Sequence, residues 1–231
     1  MTATGAVTIY AVQGACVKVM SEIAASIVGD VVALAVVLVA ARLAGMRLGD
    51  LGVRRPAVRF VGAAVLIGCT AWYLNLLLVL WLQPPGDTKT LEHMVEQTAL
   101  LPTVVGLGLL PALVEELVFR GVLARSLAAR FDPIIAVVAS AAVFAAYHVL
   151  PIQMVPTFVL GLWLGVLTVR SRSIVPAMVT HFINNVIAIV VSRDEIPSVS
   201  SAIGAHPTAM ACGSAAVLAC GLLLCVKGAQ T

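Results

Sequence analysis

The chain has 231 residues, of which 61% are hydrophobic and 11% are charged, and its formal net charge is +3. Its mean hydropathy is +1.08. This composition excludes an ordinary water-soluble domain, and the small positive charge implies no nucleic-acid surface. The sequence therefore predicts a polytopic membrane protein.

Long apolar runs recur along the chain, and most approach the roughly 20 residues with which a helix spans the hydrocarbon core. A transmembrane barrel would instead need alternating strands of about ten residues. We therefore predict an all-α, polytopic transmembrane helical bundle that forms a single integral membrane domain over residues 1–231. The predicted spans, about seven, cover residues 24–43, 59–82, 100–123, 133–150, 156–169, 174–191 and 208–226.

The N-terminal residues leave the number of spans at seven or eight. They lack the basic start and cleavage site of a secretory signal peptide, but their apolar character allows an extra helix before Glu22. Apart from Arg120, ten of the thirteen basic residues flank the first, third and fifth loops or the C-terminus. Because cytoplasmic loops carry the excess of Lys and Arg, we predict an outside N-terminus and a cytoplasmic C-terminus in a bacterial plasma membrane.

Glu115 and Glu116 stand side by side in the third predicted span. A charged side chain at membrane depth costs about 2.5 to 3.5 kcal/mol, so the pair needs partners or a function. Glu116 and Arg120 are four residues apart, share a helix face and can form an ion pair. Glu115 lies about 100° around the helix and is free to take and return a proton. The alternative is an interfacial charge cluster at a frayed helix end.

His148 lies in the next predicted span. Asp132 and Pro133 predict where that helix begins, with Asp132 as the capping residue. Glu115 is 17 residues before Asp132 and His148 is 16 residues after it. Antiparallel neighbours would place both side chains about 25 Å from the turn. A lone histidine is more often a satisfied core residue, but one level with a carboxylate pair is a candidate for a site.

His181 and Asn185 share a face of the sixth predicted span, and an imidazole with a carboxamide suits a hydrolytic site. Asn184 points about 100° away. For Asn184 and Thr180 we predict hydrogen bonds between helices. Asp30, in the first span, is explained equally well by burial and by a short excursion at the membrane interface.

Three motifs now stand in order: EELVFRG at residues 115–121, FxxxH at 144–148 and HxxxN at 181–185. In order and spacing they resemble the CAAX protease and bacteriocin-processing family of intramembrane endopeptidases, of which the type II CAAX prenyl endopeptidase is the best-known member. The resemblance covers about residues 100–191, the predicted catalytic core segment.

The resemblance implies hydrolysis of a peptide bond in a membrane-associated peptide or protein, prenylated or bacteriocin-like. Glu115 would be the general base that activates a water. His148 would hold and polarise that water, and His181 and Asn185 would stabilise the oxyanion. Membrane lipid is the other expected partner.

Glu116 and Arg120 would be the supporting ion pair. Glu115, His148 and His181 could also ligate zinc, with a water completing the site. The spacing does not decide this, because no HExxH motif is present. We favour a water activated by glutamate, with zinc left open as a cofactor.

A rival function is a non-catalytic polytopic membrane protein, either a transporter or a bacteriocin-immunity factor. Its buried Glu and His side chains would relay protons or hold an ion. Transporters commonly contain internal repeats, and the sequence offers no convincing one.

Overall fold

The structure, a computed structural model, describes residues 21–83 and 89–226. The question of a helix before Glu22 therefore lies outside the described residues. Within them, every regular element is a helix. The helices are α1 (Glu22–Leu43), α2 (Val58–Leu82), α3 (Lys89–Gln97), α4 (Leu100–Ala128), α5 (Pro133–Tyr147), α6 (Pro151–Ser171), α7 (Val175–Ser192), α8 (Pro197–Ala205) and α9 (Pro207–Val226).

Six of these helices are long and apolar enough to cross a membrane, namely α1, α2, α4, α6, α7 and α9. The apolar α5 is shorter, with 15 residues. Together they account for the seven predicted spans, so the prediction of an all-α transmembrane bundle is confirmed. Two short helices, α3 and α8, lie in segments that we predicted as connections.

Three predicted helix ends need correction. Helix α4 continues to Ala128 rather than ending at residue 123. Helix α5 ends at Tyr147 rather than at residue 150, so His148 caps the helix instead of lying inside it. Helix α6 begins at Pro151 rather than at residue 156. A proline in the first turn removes an N–H that would have no helical partner, so Pro151 can open the helix.

The predicted start of α5 is confirmed. Asp132 has non-helical backbone angles, and its side chain accepts a hydrogen bond of 2.8 Å from the backbone N–H of Ile134. Pro133 opens the helix. The side chain satisfies one of the four N–H groups that a helix start leaves unpaired, which fixes where α5 begins.

Helix α4 contains two wide turns with π-helical geometry, at Val104–Leu109 and Glu116–Ala124. Such turns disturb the regular backbone hydrogen bonds and are frequent at functional sites. Side chains of neighbouring helices donate to carbonyl groups of these turns. The donor and acceptor pairs are Ser26 with Gly106, Asn185 with Leu107, and Ser140 with Phe119.

Helix α2 packs against α6, α7 and α9, while α5 packs on α6 and α1 packs on α4. A β-carbon added at Gly68 of α2 would lie 2.9 Å from the Thr180 carbonyl oxygen, so glycine permits this close approach. The Thr180 hydroxyl donates to the Ala64 carbonyl at 3.0 Å. This bond confirms the link between helices that we predicted for Thr180, and it joins α7 to α2.

Candidate active site

Helices α4 and α7 bring a cluster of ionisable side chains together in the interior of the bundle. Glu116 and Arg120 are fully buried, and Glu115 and His181 are 8% and 3% exposed. Charged groups in such surroundings need charged or hydrogen-bonding partners. The contacts among these four side chains therefore decide what the cluster can do.

Glu116 is the centre of the cluster. Its Oε1 atom accepts hydrogen bonds from Arg120 Nη1 and from His181 Nδ1, each at 3.0 Å. The ion pair with Arg120 is the one that the four-residue spacing predicted. The bond to His181 joins residues 65 positions apart, and the spacing could not predict it.

These bonds determine the proton positions on the His181 ring. A carboxylate only accepts hydrogen bonds, so Nδ1 carries the hydrogen and the neutral ring leaves Nε2 as an acceptor. His181 Nε2 lies 3.8 Å from Oε2 of Glu115. The imidazole thus stands between the two glutamates, with one nitrogen toward each.

Arg120 is held from three directions. Its Nη2 donates to the Gly161 carbonyl of α6 at 3.2 Å. The guanidinium lies 4.3 Å from the centre of the Phe144 ring of α5, a distance at which a cation is attracted to an aromatic face. A β-carbon at Gly161 would lie 3.2 Å from Nη2 and 3.0 Å from the β-carbon of Ala141. The small residue leaves room for the arginine.

His148 follows the last residue of α5. Its Nδ1 is 3.0 Å from the Phe144 carbonyl, and because a carbonyl only accepts, Nδ1 donates and Nε2 remains an acceptor. The Phe144 ring contacts both imidazoles edge-on, with centroids 5.1 Å from His148 and 5.8 Å from His181. The next residue, Val149, has a φ of +60°, which is a strained conformation for a β-branched side chain.

We expected Glu115 to meet His148. In the structure the imidazole within 4 Å of Glu115 is that of His181. Two local features explain the difference: α5 ends before His148, and the wide turn of α4 that begins at Glu116 changes the angular spacing of its side chains. His148 remains part of the same group of aromatic and imidazole rings.

Asn185 connects α7 to α4, because its Nδ2 donates to the Leu107 carbonyl at 3.0 Å. Its Oδ1 accepts from Asn184 Nδ2 at 3.1 Å. A carboxamide nitrogen has two hydrogens, so one N–H of Asn185 is left for another acceptor. The link between helices that we predicted for Asn184 is instead made by Asn185, while the bond of Asn184 stays within α7.

Zinc ligation by Glu115, His148 and His181 stays a prediction. Among residues 21–83 and 89–226, no group of three or more His, Cys, Asp or Glu side chains is arranged to hold a metal ion. Both Nδ1 atoms are engaged in hydrogen bonds, so the Nε2 atoms of His148 and His181 are the ring atoms left to accept a hydrogen bond or bind a metal.

Asp30 of α1 is the residue that sequence reasoning left undecided. It is 4% exposed and therefore buried, which removes the alternative of an interfacial excursion. Its carboxyl group is within electrostatic range of Glu115. An acidic residue inside an apolar span was the available signal, but no spacing rule connects Asp30 to Glu115, which is 85 residues later in the chain.

Comparisons with known proteins address the segment that carries the three motifs. Residues 97–187 match the family model described as Type II CAAX prenyl endopeptidase Rce1-like. No curated protein and no solved structure matches the chain. The matched segment contains the described cluster of α4, α5 and α7, whereas Asp30 lies outside it. With six helices long and apolar enough to cross a membrane, the chain is an integral membrane protein whose residues 97–187 are similar to the type II CAAX prenyl endopeptidase family.

Proposed function

We propose that the protein is an intramembrane endopeptidase that cleaves a membrane-associated peptide with a water activated by Glu115. The family description makes prenylated peptides the first substrates to test. The observation that carries the proposal is the position of His181, whose Nδ1 is 3.0 Å from Glu116 and whose Nε2 is 3.8 Å from Glu115. A carboxylate that orients an imidazole beside a second carboxylate is suited to moving a proton.

The reaction begins with a water between Glu115 and His148. Glu115 takes one proton from this water. The Nε2 atom of His148 accepts a hydrogen bond from the other hydrogen, because Nδ1 is already bonded to the Phe144 carbonyl. The water oxygen then forms a bond to the carbonyl carbon of the peptide, which gives a tetrahedral intermediate with a negative oxygen.

The oxyanion needs donors, and hydrogen bonds to developing charge are a large part of catalysis in water-poor sites. Asn185 supplies the N–H that is not bonded to Leu107. His181 supplies a second donor once Nε2 has received the proton from Glu115. The resulting imidazolium is stabilised by the Glu116 carboxylate on its other side.

The same proton completes the reaction. When the carbon–nitrogen bond breaks, His181 Nε2 gives its proton to the leaving amine, and the products are a carboxylic acid and an amine. Arg120 contributes by neutralising Glu116 and holding it at 3.0 Å. Glu116 and Arg120 are therefore positioning residues, whereas Glu115, His148, His181 and Asn185 act on the reacting atoms.

Glu115→Gln tests the proposal. The amide keeps the shape of the side chain but cannot take a proton, so we expect kcat on a fluorogenic prenylated peptide to fall by about 10³-fold. The protein would be purified and assayed in lipid bilayers. The control is Glu195→Gln, because Glu195 is a surface residue paired with Arg193 and its variant should cleave normally. Unchanged cleavage by Glu115→Gln would remove Glu115 as the base.

A metal measurement separates this mechanism from a zinc-dependent one. We expect no stoichiometric zinc in the purified active protein and no loss of cleavage after treatment with a chelator. Stoichiometric zinc that disappears in both His148→Ala and His181→Ala would replace the proposed mechanism. Biological function that persists without any peptide cleavage would favour the rival transporter or immunity function.

A further inference from the structure

Asp30 is a buried carboxyl group that the proposed mechanism does not use. It lies in α1, outside the segment that matches the family. It is 4% exposed, and its Oδ2 atom is buried with no hydrogen-bond partner in the described part of the chain. A buried polar atom without a partner costs about 1 to 3 kcal/mol. Such an atom in a membrane helix is a candidate for contact with a ligand.

The packing of α1 on α4 determines where Asp30 lies. Near the start of both helices, the Ser26 hydroxyl donates to the Gly106 carbonyl. About two turns further along each helix, Ala33 and Val114 belong to one buried apolar cluster. The two helices therefore run in the same direction, and positions on α1 can be matched to levels on α4.

Asp30 lies three residues before Ala33, and Glu115 directly follows Val114, so the two acidic residues are about one helical turn apart along the axis of the helix pair. At this separation the carboxyl group of Asp30 still interacts electrostatically with that of Glu115. No hydrogen bond joins the two carboxyl groups in the described residues, which leaves Oδ2 available to a third group.

The cluster around Glu115 has more free acceptors than free donors. Arg120 Nη1 and His181 Nδ1 both donate to Glu116, and Arg120 Nη2 donates to the backbone. Within residues 21–83 and 89–226, the buried atoms without a partner at this site are three acceptors and one donor. They are Asp30 Oδ2, Glu116 Oε2, Asn184 Oδ1 and Arg120 Nε.

A peptide chain supplies what this site lacks, because each non-proline residue carries a backbone N–H donor. We propose that Asp30 is a substrate-binding residue whose Oδ2 accepts a hydrogen bond from a backbone N–H of the bound peptide, beside the bond that Glu115 cleaves. This inference rests on the proposed peptidase function. A carboxyl oxygen accepts whether or not the group is ionised, and the bond would orient the peptide for attack.

Peptide binding to the inactive Glu115→Gln protein tests the contact without cleavage. The ligands are a prenylated peptide and a series of analogues in which one backbone N–H at a time is replaced by an ester oxygen. We expect one analogue to bind about tenfold more weakly than the parent peptide. In Glu115→Gln/Asp30→Ala, the parent peptide should bind about tenfold more weakly and that ester replacement should have no further effect.

A purely structural function of Asp30 would give a different pattern. Glu115→Gln/Asp30→Ala would then weaken the parent and every ester analogue by the same factor, and this result would overturn the inference. So would unchanged binding, or a stoichiometric divalent metal that is lost with Asp30→Ala. The matched control is Thr70→Ala, because Thr70 is equally buried but bonds to the Leu66 carbonyl of its own helix. Added to the Glu115→Gln protein, Thr70→Ala should leave the affinity for the parent peptide and the affinity for each ester analogue unchanged.

The experiment distinguishes failure of the inference about Asp30 from failure of the proposed peptidase function. If the wild-type protein cleaves the peptide but the ester effects add to those of Asp30→Ala, only the inference about Asp30 fails. If the wild-type protein does not cleave prenylated or other membrane-bound peptides and the Glu115→Gln protein does not bind them, the peptidase function itself fails.

Discussion

Helices α4 and α9 are both long and apolar, yet they occupy opposite environments. Of the 18 residues that form the most apolar stretch of each helix, half are buried inside the protein in α4 but only 11% in α9. The mean hydropathy of α9 is also the higher of the two, 2.2 against 1.6 for α4. The comparison teaches that hydropathy identifies membrane helices but does not say which of them lie inside the bundle.

The difference follows from what each helix must satisfy. Helix α4 carries two glutamates, an arginine and two wide turns, and these need partners that lipid tails cannot provide. Helix α9 is a regular α-helix, and its described buried residues are Gly221 and Cys225. A lipid-facing helix can remain uniform, whereas the interior helix departs from apolar composition and from α-helical geometry together.

Removing Arg120 should produce the largest contrast between the two regions. Arg120→Leu leaves the Glu116 carboxylate buried without its cation, so we expect the free energy of unfolding to fall by about 3 to 5 kcal/mol and cleavage to be lost. The measurement is unfolding in mixed micelles. Arg170→Leu is the control: among the described residues, Arg170 donates to two carbonyls at the end of α9, so its removal should cost about 1 kcal/mol. Equal losses in the free energy of unfolding for Arg120→Leu and Arg170→Leu would contradict the contrast between α4 and α9.

A pair of glycine substitutions should give an intermediate effect. At Gly161 a β-carbon would press on Arg120 Nη2 and Ala141, and such overpacking costs about 1 to 3 kcal/mol. A β-carbon at Gly213 of α9 would meet no atom of the described residues within 4 Å, so alanine should be neutral or stabilise the helix by up to about 1 kcal/mol. We expect Gly161→Ala to lower both stability and kcat in the bilayer assay. A larger loss of stability and kcat in Gly213→Ala than in Gly161→Ala would contradict the assignment of α6 to the packed interior and of α9 to the lipid-facing side.

The smallest expected effect concerns a wide turn of α4. Ser140→Ala removes the donor to the Phe119 carbonyl, and we expect a loss of about 1 kcal/mol in the free energy of unfolding. Ser192→Ala is the control, because Ser192 is an exposed residue whose hydroxyl bonds to the Ile189 carbonyl of its own helix. A difference of zero between the two variants would mean that the wide turn needs no donor from α5.

Local features of the site could be predicted from the sequence, and long-range ones could not. The cap at Asp132 and the ion pair between Glu116 and Arg120 depend on residues two to four positions apart. The contacts of Arg120 with Gly161 and of Glu116 with His181 depend on how helices are arranged. In a membrane protein the lipid face is as apolar as the core, so the apolar pattern does not indicate which faces meet.

The shortness of α5 has a consequence for water supply. Its 15 residues extend about 22 Å, less than the roughly 30 Å of a hydrocarbon core. Its end, with the partly exposed His148 and the exposed Val149, therefore brings non-helical backbone to the depth of the lipid tails. Exposed backbone at that depth is tolerated where it lines a water-filled cavity. The proposed peptidase reaction consumes one water per cleavage, and we infer that the short helix provides the route by which that water reaches the site.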